Sequence, residues 1–308
     1  MNLFDAAKLP PVLIEPIRIL GHNPSEVELS LLREDLIPSP VSGNKFRKLR
    51  YNYQHFRSEG FRSMVSFGGA HSNHIDSLAC LGKITDIPTV GIIRGEELAS
   101  KPLNPTLAKA KESGMKLYFV SRTAYRQKEA SDEIRKILLQ YPGHFLIPEG
   151  GTNQLAVKGC EEILGIHTRE FTHICCATGT GGTLAGLIKS SANDQQVIGF
   201  SALKGTFQTE EIVKYTDKVN FEITDQACLG GYAKMDRSLI VFMNQLKEQT
   251  NIGLDPIYTG KMMMGLMGRI RDGHFPKNSR ILAVHTGGLQ GIPAMNQILI
   301  KKQLPLIR

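Results

Sequence analysis

The chain reads as an α/β protein with open, mostly parallel sheets flanked by helices. Three observations give this reading. Short apolar, β-branched runs alternate with helical patterns over almost the whole length, the order that builds parallel sheets covered by helices on both faces. The run His173–Ala177 is almost continuously apolar, as suits a central strand buried on both sides. Glycine-rich segments follow several strands directly, at the junctions where such sheets place ligands. The 308 residues, 41% hydrophobic, are enough for two domains or one large α/β unit.

In chain order, an extended run from Val27 to Asp35 leads to a helix that begins near Lys45. Strands are then predicted at Ser63–Phe67, Pro88–Ile93, Lys116–Ser121, His144–Pro148, His173–Ala177, Gln196–Ala202 and Arg280–His285, where apolar and β-branched residues cluster. Helical patterns fall between them at Ser72–Lys83, Pro105–Ser113, Ala124–Gln140, Gln154–Gly165, Gly182–Ser191, Asp236–Gln249 and Tyr258–Arg271. Boundaries near Tyr51 and Gly151 divide this order into a large domain, residues 1–50 plus 152–308, and a smaller inserted one, 51–151. Pro148-Glu149-Gly150-Gly151-Thr152 is the best linker segment.

Composition narrows the function classes. The N-terminus has no basic segment followed by an apolar stretch, so no secretory signal is read, and no apolar run approaches the about 20 residues of a membrane helix. Five cysteines, none in a CxxC pair, argue against a disulfide framework or a metal site and fit a reducing cytoplasm. Cys175 and Cys176 read as inert core thiols. The net charge of +8 comes from scattered basic residues without Trp or a basic-aromatic cluster, so nucleic acid is not the expected partner.

Two segments carry the chemistry. Ala177-Thr178-Gly179-Thr180-Gly181-Gly182-Thr183 leaves a strand and opens a helix. Its glycines let backbone N–H groups approach an anion, the helix start adds a positive dipole end, and Thr178, Thr180 and Thr183 add hydroxyls. It lacks the lysine of a P-loop, and Leu184 stands where a dinucleotide fingerprint needs its third glycine. A phosphate without a nucleotide is the better ligand. Ser42-Gly43-Asn44-Lys45-Phe46-Arg47-Lys48 places Lys45 at a helix start among cations. Burial and neighbouring charge lower an amine pKa and favour the free base that attacks an aldehyde. Lys48 has the same setting and competes. An imine-forming lysine and a phosphate cradle together are what a pyridoxal 5'-phosphate enzyme needs. Gly68-Gly69-Ala70-His71-Ser72-Asn73-His74 offers N–H groups for a carboxylate and Asn73 for a phenolate oxygen, or Ser72 simply caps a helix. Tyr258, at a helix start before Met262, Met263, Met264 and Met267, and Tyr232, after Gly230-Gly231, read from the residues alone first as structural aromatics and second as functional ones. The methionines read as core filling.

Taken together these segments resemble the 1-aminocyclopropane-1-carboxylate deaminase and D-cysteine desulfhydrase family of fold type II, tryptophan-synthase-β-like pyridoxal-phosphate enzymes. The matching stretches run in the family's order: 43–48, 68–74, 177–183, Asp255-Pro256-Ile257-Tyr258-Thr259-Gly260-Lys261, and Phe275-Pro276 through His285-Thr286-Gly287-Gly288. The resemblance implies that Lys45, not Lys48, forms the imine with the cofactor. It implies that Asn73 bonds the cofactor's O3', that Ser72 faces the substrate, and that Thr178, Gly179, Thr180, Gly181 and Gly182 cradle the phosphate. Tyr232 and Tyr258 match two active-site tyrosines. It also implies a homodimer and the large domain with a smaller insert.

Thr259 and Thr286 stand where ring-opening members carry Glu and Leu, and so point to the desulfhydrase-like side. A carboxylate near the pyridine nitrogen deepens the electron sink, whereas a threonine only hydrogen-bonds it. A weaker sink suffices where a β leaving group relieves the carbanion at once. The expected reaction is therefore α,β-elimination and deamination of a small amino acid, with D-cysteine giving pyruvate, sulfide and ammonia as the single best substrate. Lys45 would be the base, Ser72 would hold the carboxylate, and Tyr258 or Tyr232 would assist proton transfer. The alternatives are a 1-aminocyclopropane-1-carboxylate deaminase or another eliminase or racemase of the same family, a non-catalytic pyridoxal-phosphate-binding protein, and a nucleotide-phosphate binder.

Overall fold

A computed structural model describes residue 4, residues 13–37, residue 41 and residues 43–308. Ser42 of the lysine segment and most of the N-terminal stretch lie outside the described residues. Strands β1 (Ile14–Pro16), β2 (Glu28–Leu32), β7 (His173–Thr178), β8 (Gln196–Ser201), β9 (Phe221–Thr224) and β10 (Arg280–Val284) form a six-stranded sheet in the order β1-β2-β10-β7-β8-β9. Among the described strands, only the β1–β2 pair is antiparallel. Strands β3 (Ser63–Gly68), β4 (Thr89–Arg94), β5 (Lys116–Val120) and β6 (His144–Ile147) form a parallel sheet ordered β5-β4-β3-β6. The helices are α1 (Asn44–Ser58), α2 (Asn73–Thr85), α3 (Pro105–Glu112), α4 (Arg122–Gln127), α5 (Asp132–Leu138), α6 (Gln154–Glu161), α7 (Gly182–Ser190), α8 (Gln208–Ile212), α9 (Arg237–Thr250), α10 (Thr259–Arg271) and α11 (Ile292–Lys301).

The central strand behaves as its composition demands. Cys175 and Ala177 face one core with Leu239, Met263 and Leu266, while Ile174 and Cys176 face the other with Val157, Leu184 and Ile188. Burial pushes both thiols up, so they stay protonated and inert. Met262, Met263 and Met267 are core residues, as the sequence suggests. The smaller sheet has a core on each face, and α1 contributes Phe46, Leu49 and Phe56 to one of them. None of the described helices is long and apolar enough to cross a membrane.

The topology fixes where a ligand can sit. In the larger sheet the chain moves from β7 outward to β9 on one side, while β10 and β2 lie on the other. In the smaller sheet β4 and β5 lie on one side of β3 and β6 on the other. Each sheet therefore opens a crevice at the carboxyl ends of a neighbouring pair, β7 with β10 and β3 with β6.

Several expectations need correction. The single helix expected over Ala124–Gln140 breaks into α4 and α5, because Lys128 turns to φ 52°. That turn lays the Lys128 ammonium 3.4 Å from the centre of the Tyr125 ring and 2.8 Å from Glu149. The helix expected to reach Gly165 stops at Glu161. The edge strands β1 and β9 and the helices α8 and α11 were not expected; β1 and β9 are too short, and lie at sheet edges where an apolar run is not required.

A buried ion pair ties α1 to the larger sheet's loop: Arg47 makes two bonds to Glu34, at 3.0 and 2.9 Å, with both side chains almost fully enclosed. Replacing Arg47 by Leu leaves the Glu34 charge buried without its main partner. We expect a loss of about 3–5 kcal/mol in denaturant unfolding.

Candidate active site

One cavity gathers the segments read from the sequence. Lys45, Ser72, Asn73, Thr178, Gly179, Thr180, Gly181, Gly182, Tyr258 and Thr286 all line it. They arrive from both sheets: the loops after β3, β7 and β10, the first turn of α1, and the start of α10. Tyr232 lies behind this wall. Its ring packs edge-on against Tyr258, centroids 6.3 Å apart, and its hydroxyl donates to His71 O at 3.2 Å.

Lys45 occupies the first turn of α1, after Gly43. Gly43 has φ 61°, and a side chain there would begin 2.3 Å from Thr286 O. Only glycine lets α1 start this close to the turn after β10. The Lys45 amine has Asn44 Oδ1 as its hydrogen-bond partner, at 3.2 Å. Desolvation lowers its pKa, against the opposing pull of Cys160, Asp255 and Cys176. The free-base fraction therefore rises near neutrality.

The loop after β7 fits a phosphate. Gly182 opens α7, and a Cβ on it would meet Thr152 Oγ1 at 2.7 Å and Lys48 Nζ at 3.0 Å. The Thr178 hydroxyl is buried without a hydrogen-bond partner, the state of a group that awaits a ligand. The other two threonines differ from expectation. Thr180 pairs with Thr152 at 2.5 Å, and Thr183 accepts from Asn44 Nδ2 at 2.9 Å, which ties α7 to α1. Lys48, the competing lysine, donates to Gly150 O at 2.8 Å and Thr152 Oγ1 at 3.1 Å. Its ammonium thus stands at the mouth of the glycine loop, where a phosphate would sit. Burial, then repulsion from Lys45, lowers its pKa to about 7.

On the opposite wall Ser72 caps α2 by accepting from Ile75 N at 3.2 Å, and it also faces the cavity. Capping and ligand binding are therefore compatible here. The Asn73 amide has no hydrogen-bond partner among the described residues and is available to an oxygen on a bound ring. The Thr286 turn is held by His285, whose Nε2 donates to Gly253 O at 2.7 Å while Nδ1 accepts from Gly287 N at 3.2 Å. That pairing places the imidazole proton on Nε2 and fixes the ring's orientation.

Thr259 does not fit its expected place. Its hydroxyl donates to Asp255 Oδ1 at 2.9 Å and its N–H to the same oxygen at 2.8 Å, beneath the α10 start and outside the cavity lining. Thr286 alone of the two threonines reaches the cavity. The reason is local: Asp255 must satisfy the free N–H groups of Ile257, Tyr258 and Thr259.

Sequence reasoning missed His74 and Asp255. His74 lines the cavity and is almost fully enclosed. Its Nε2 lies 2.9 Å from Ser66 Oγ, which itself donates to Ile147 O, so Nε2 carries the proton and the buried Nδ1 is left without a partner. Burial and the two lysines hold it neutral. Only its place two residues after Ser72 hinted at a role, and a helical histidine is usually structural. The phenols are also protonated: burial raises Tyr232 to about 12 and Tyr258 well above the ordinary value.

Known proteins agree with the geometry. The family model for pyridoxal-phosphate dependent enzymes matches residues 14–287. The chain belongs to that family. It is 27% identical over 297 residues to the bifunctional D-cysteine desulfhydrase/1-aminocyclopropane-1-carboxylate deaminase, mitochondrial, of Arabidopsis thaliana, covering 87% of this chain and 74% of that protein. It is 24% identical over 295 residues to the D-cysteine desulfhydrase of Salmonella newport, covering 85% and 87%. The crystal structure of an ACC deaminase homologue superposes with a TM-score of 0.79 at 25% identity, over 94% of this chain and 93% of that one. The cofactor of this enzyme is thus pyridoxal phosphate, and the residues present suit it: an enclosed amine, an unpartnered amide, and a glycine cradle with an orphaned hydroxyl and a neighbouring ammonium.

Two tests follow from the lysines. A phosphate dianion beside Lys48 favours its charged form, so cofactor binding at pH 8–9, above the pKa of about 7, takes up a proton there. Calorimetry in two buffers of different ionisation enthalpy reads that uptake, and Lys48→Met abolishes it and weakens binding. Lys261, one turn beyond Tyr258, holds the Tyr232 loop by donating to Cys228 O and Gly231 O, both at 2.7 Å. Lys261→Met frees that loop; kcat falls about tenfold, the loss of roughly one charged hydrogen bond, while cofactor affinity is retained.

Proposed function

We propose that the enzyme catalyses α,β-elimination from a small amino acid, with D-cysteine converted to pyruvate, sulfide and ammonia. The observation that carries this reading is the lack of an acid in the cavity wall. Among the described residues no carboxylate lines it, and Asp255 commits both oxygens to the start of α10. With no acid among the described lining residues to face the ring nitrogen, nothing would strengthen its positive charge, and a substrate with a ready leaving group suits that site best. D-cysteine desulfhydrase activity is named for the Arabidopsis and Salmonella relatives, in the first together with 1-aminocyclopropane-1-carboxylate deaminase.

When bound, pyridoxal phosphate supplies an electron sink for negative charge developing at the substrate α carbon. This chain's residues do the rest. The desolvated Lys45 amine takes the α proton. The N–H groups at the α2 start and the Ser72 hydroxyl hold the substrate carboxylate. The β C–S bond then breaks with its electron pair on sulfur, and the protonated Tyr258, steadied by Tyr232, donates to the departing thiolate. Water converts the remaining enamine to pyruvate and ammonium. Lys48 and the 178–182 loop would hold the phosphate, and Asn73 and Thr286 would orient the ring. Lys45, Ser72, Tyr258 and Tyr232 serve the chemistry, and Lys45, Asn73, Thr178, Gly179, Thr180, Gly181, Gly182 and Thr286 serve the cofactor.

The test has two parts. Borohydride reduction followed by peptide mass spectrometry finds the cofactor on Lys45, and Lys45→Ala loses both the covalent link and turnover, by about 10³-fold or more. Sulfide and pyruvate then appear from D-cysteine faster than from L-cysteine, with 1-aminocyclopropane-1-carboxylate giving little ammonia. Ammonia release from the cyclopropane substrate alone would replace elimination by ring opening.

A further inference from the structure

A second cavity, of about 660 Å³, adjoins the first. The two share a wall made by the loop running from Gly69 into Ser72, by Glu149 running into Gly150, and by the Tyr232–Tyr258 ring pair. Arg94, Arg122, Arg126 and Lys128 line it against two carboxylates, Glu97 and Glu149. The carboxylates are taken: Arg122 pairs with Glu97 and Lys128 with Glu149. Arg94 and Arg126 have no acidic partner among the described residues. Arg94 lies over the Tyr125 ring, 5.8 Å from its centre, and a terminal nitrogen comes 3.9 Å from where a side chain on Gly69 would begin. An unpaired guanidinium thus stands beside the turn that leads to the substrate-facing Ser72. Two forked cations with satisfied neighbours form a receptor for a planar or tetrahedral oxyanion.

We propose that this cavity is a substrate vestibule whose Arg94 and Arg126 select amino acids bearing an anionic group on the β substituent. The proposal rests on the elimination reading and adds a substrate class beside D-cysteine. For a β-phosphate ester, the α proton passes to the Lys45 amine and the Cβ–O bond breaks with its electron pair on oxygen. Phosphate leaves through the cationic vestibule, and water turns the enamine into pyruvate and ammonium. No oxidant or reductant is needed. The small, uncharged thiol of cysteine makes no use of these arginines.

The probes are O-phosphoserine and O-acetylserine, each as both enantiomers, which differ in the charge of the leaving group. With the holoenzyme, pyruvate release gives kcat/KM, and titration of the bound cofactor's absorbance gives affinity without turnover. We expect the phosphate ester to bind at least tenfold more tightly than the acetate ester. The double variant Arg94→Gln/Arg126→Gln lowers that preference about tenfold or more, mainly through KM. The remote Arg271→Gln, which removes the same kind of charge, leaves it unchanged. Equal binding of the two esters by the wild type, or an unaltered preference in the double variant, overturns the vestibule. Pyruvate from neither ester nor from D-cysteine overturns the elimination reading instead, and the absorbance titration still judges the vestibule.

Discussion

The site depends on one topological constraint: two parallel sheets aim the carboxyl ends of their central strands at a common space. Loops after β3, β7 and β10 bring N–H groups and short polar side chains there, and Gly150, just after β6, completes the enclosure. No single segment makes the site. The helices that follow β3 and β7 start at the cavity, so their positive ends favour anionic ligands on both sides of it. Everything else, from the tight start of α1 against the β10 turn to the carboxylate beneath α10, keeps those ends in register.

The electrostatics of the cavity follow from its enclosure. Two lysines on one helix turn share an enclosed space with a neutral histidine and the protonated Tyr258. Separation of roles comes from what each amine touches. Lys48 is tied to Gly150 and Thr152 at the mouth of the glycine loop, and Lys45 is left facing the space where a ring would lie. Cations crowded without an acid among the described lining residues make the cavity a strong receptor for anionic groups.

The sequence made much of this legible. Parallel sheets under helices show in the alternation of apolar runs, and the central strand shows in the unbroken apolarity of His173–Ala177, because burial on both faces leaves no polar position. The glycine loop, Lys45 and the Ser72-Asn73 turn were readable because each sits directly after a strand or at a helix start. Edge strands with one neighbour, such as β9, have no such pattern. The break at Lys128 was hidden because its cause, the Tyr125 ring and Glu149, lies elsewhere in the chain. Thr259 was misplaced for a similar reason: its spacing from Tyr258 says nothing of Asp255, which captures its hydroxyl. His74 acquires its tautomer only through Ser66 and Ile147, a relation that no local motif encodes.

The helix that carries Lys45 has divided loyalties. Phe46, Leu49 and Phe56 insert beneath the smaller sheet, while Asn44 reaches across to Thr183 on the larger one and Lys48 grips the chain between them. A cut anywhere between the two sheets would strand the nucleophile in one fragment and the anion clasp in the other. A cofactor held between them would join the two as well as react, and neither half alone keeps both the nucleophile and the clasp.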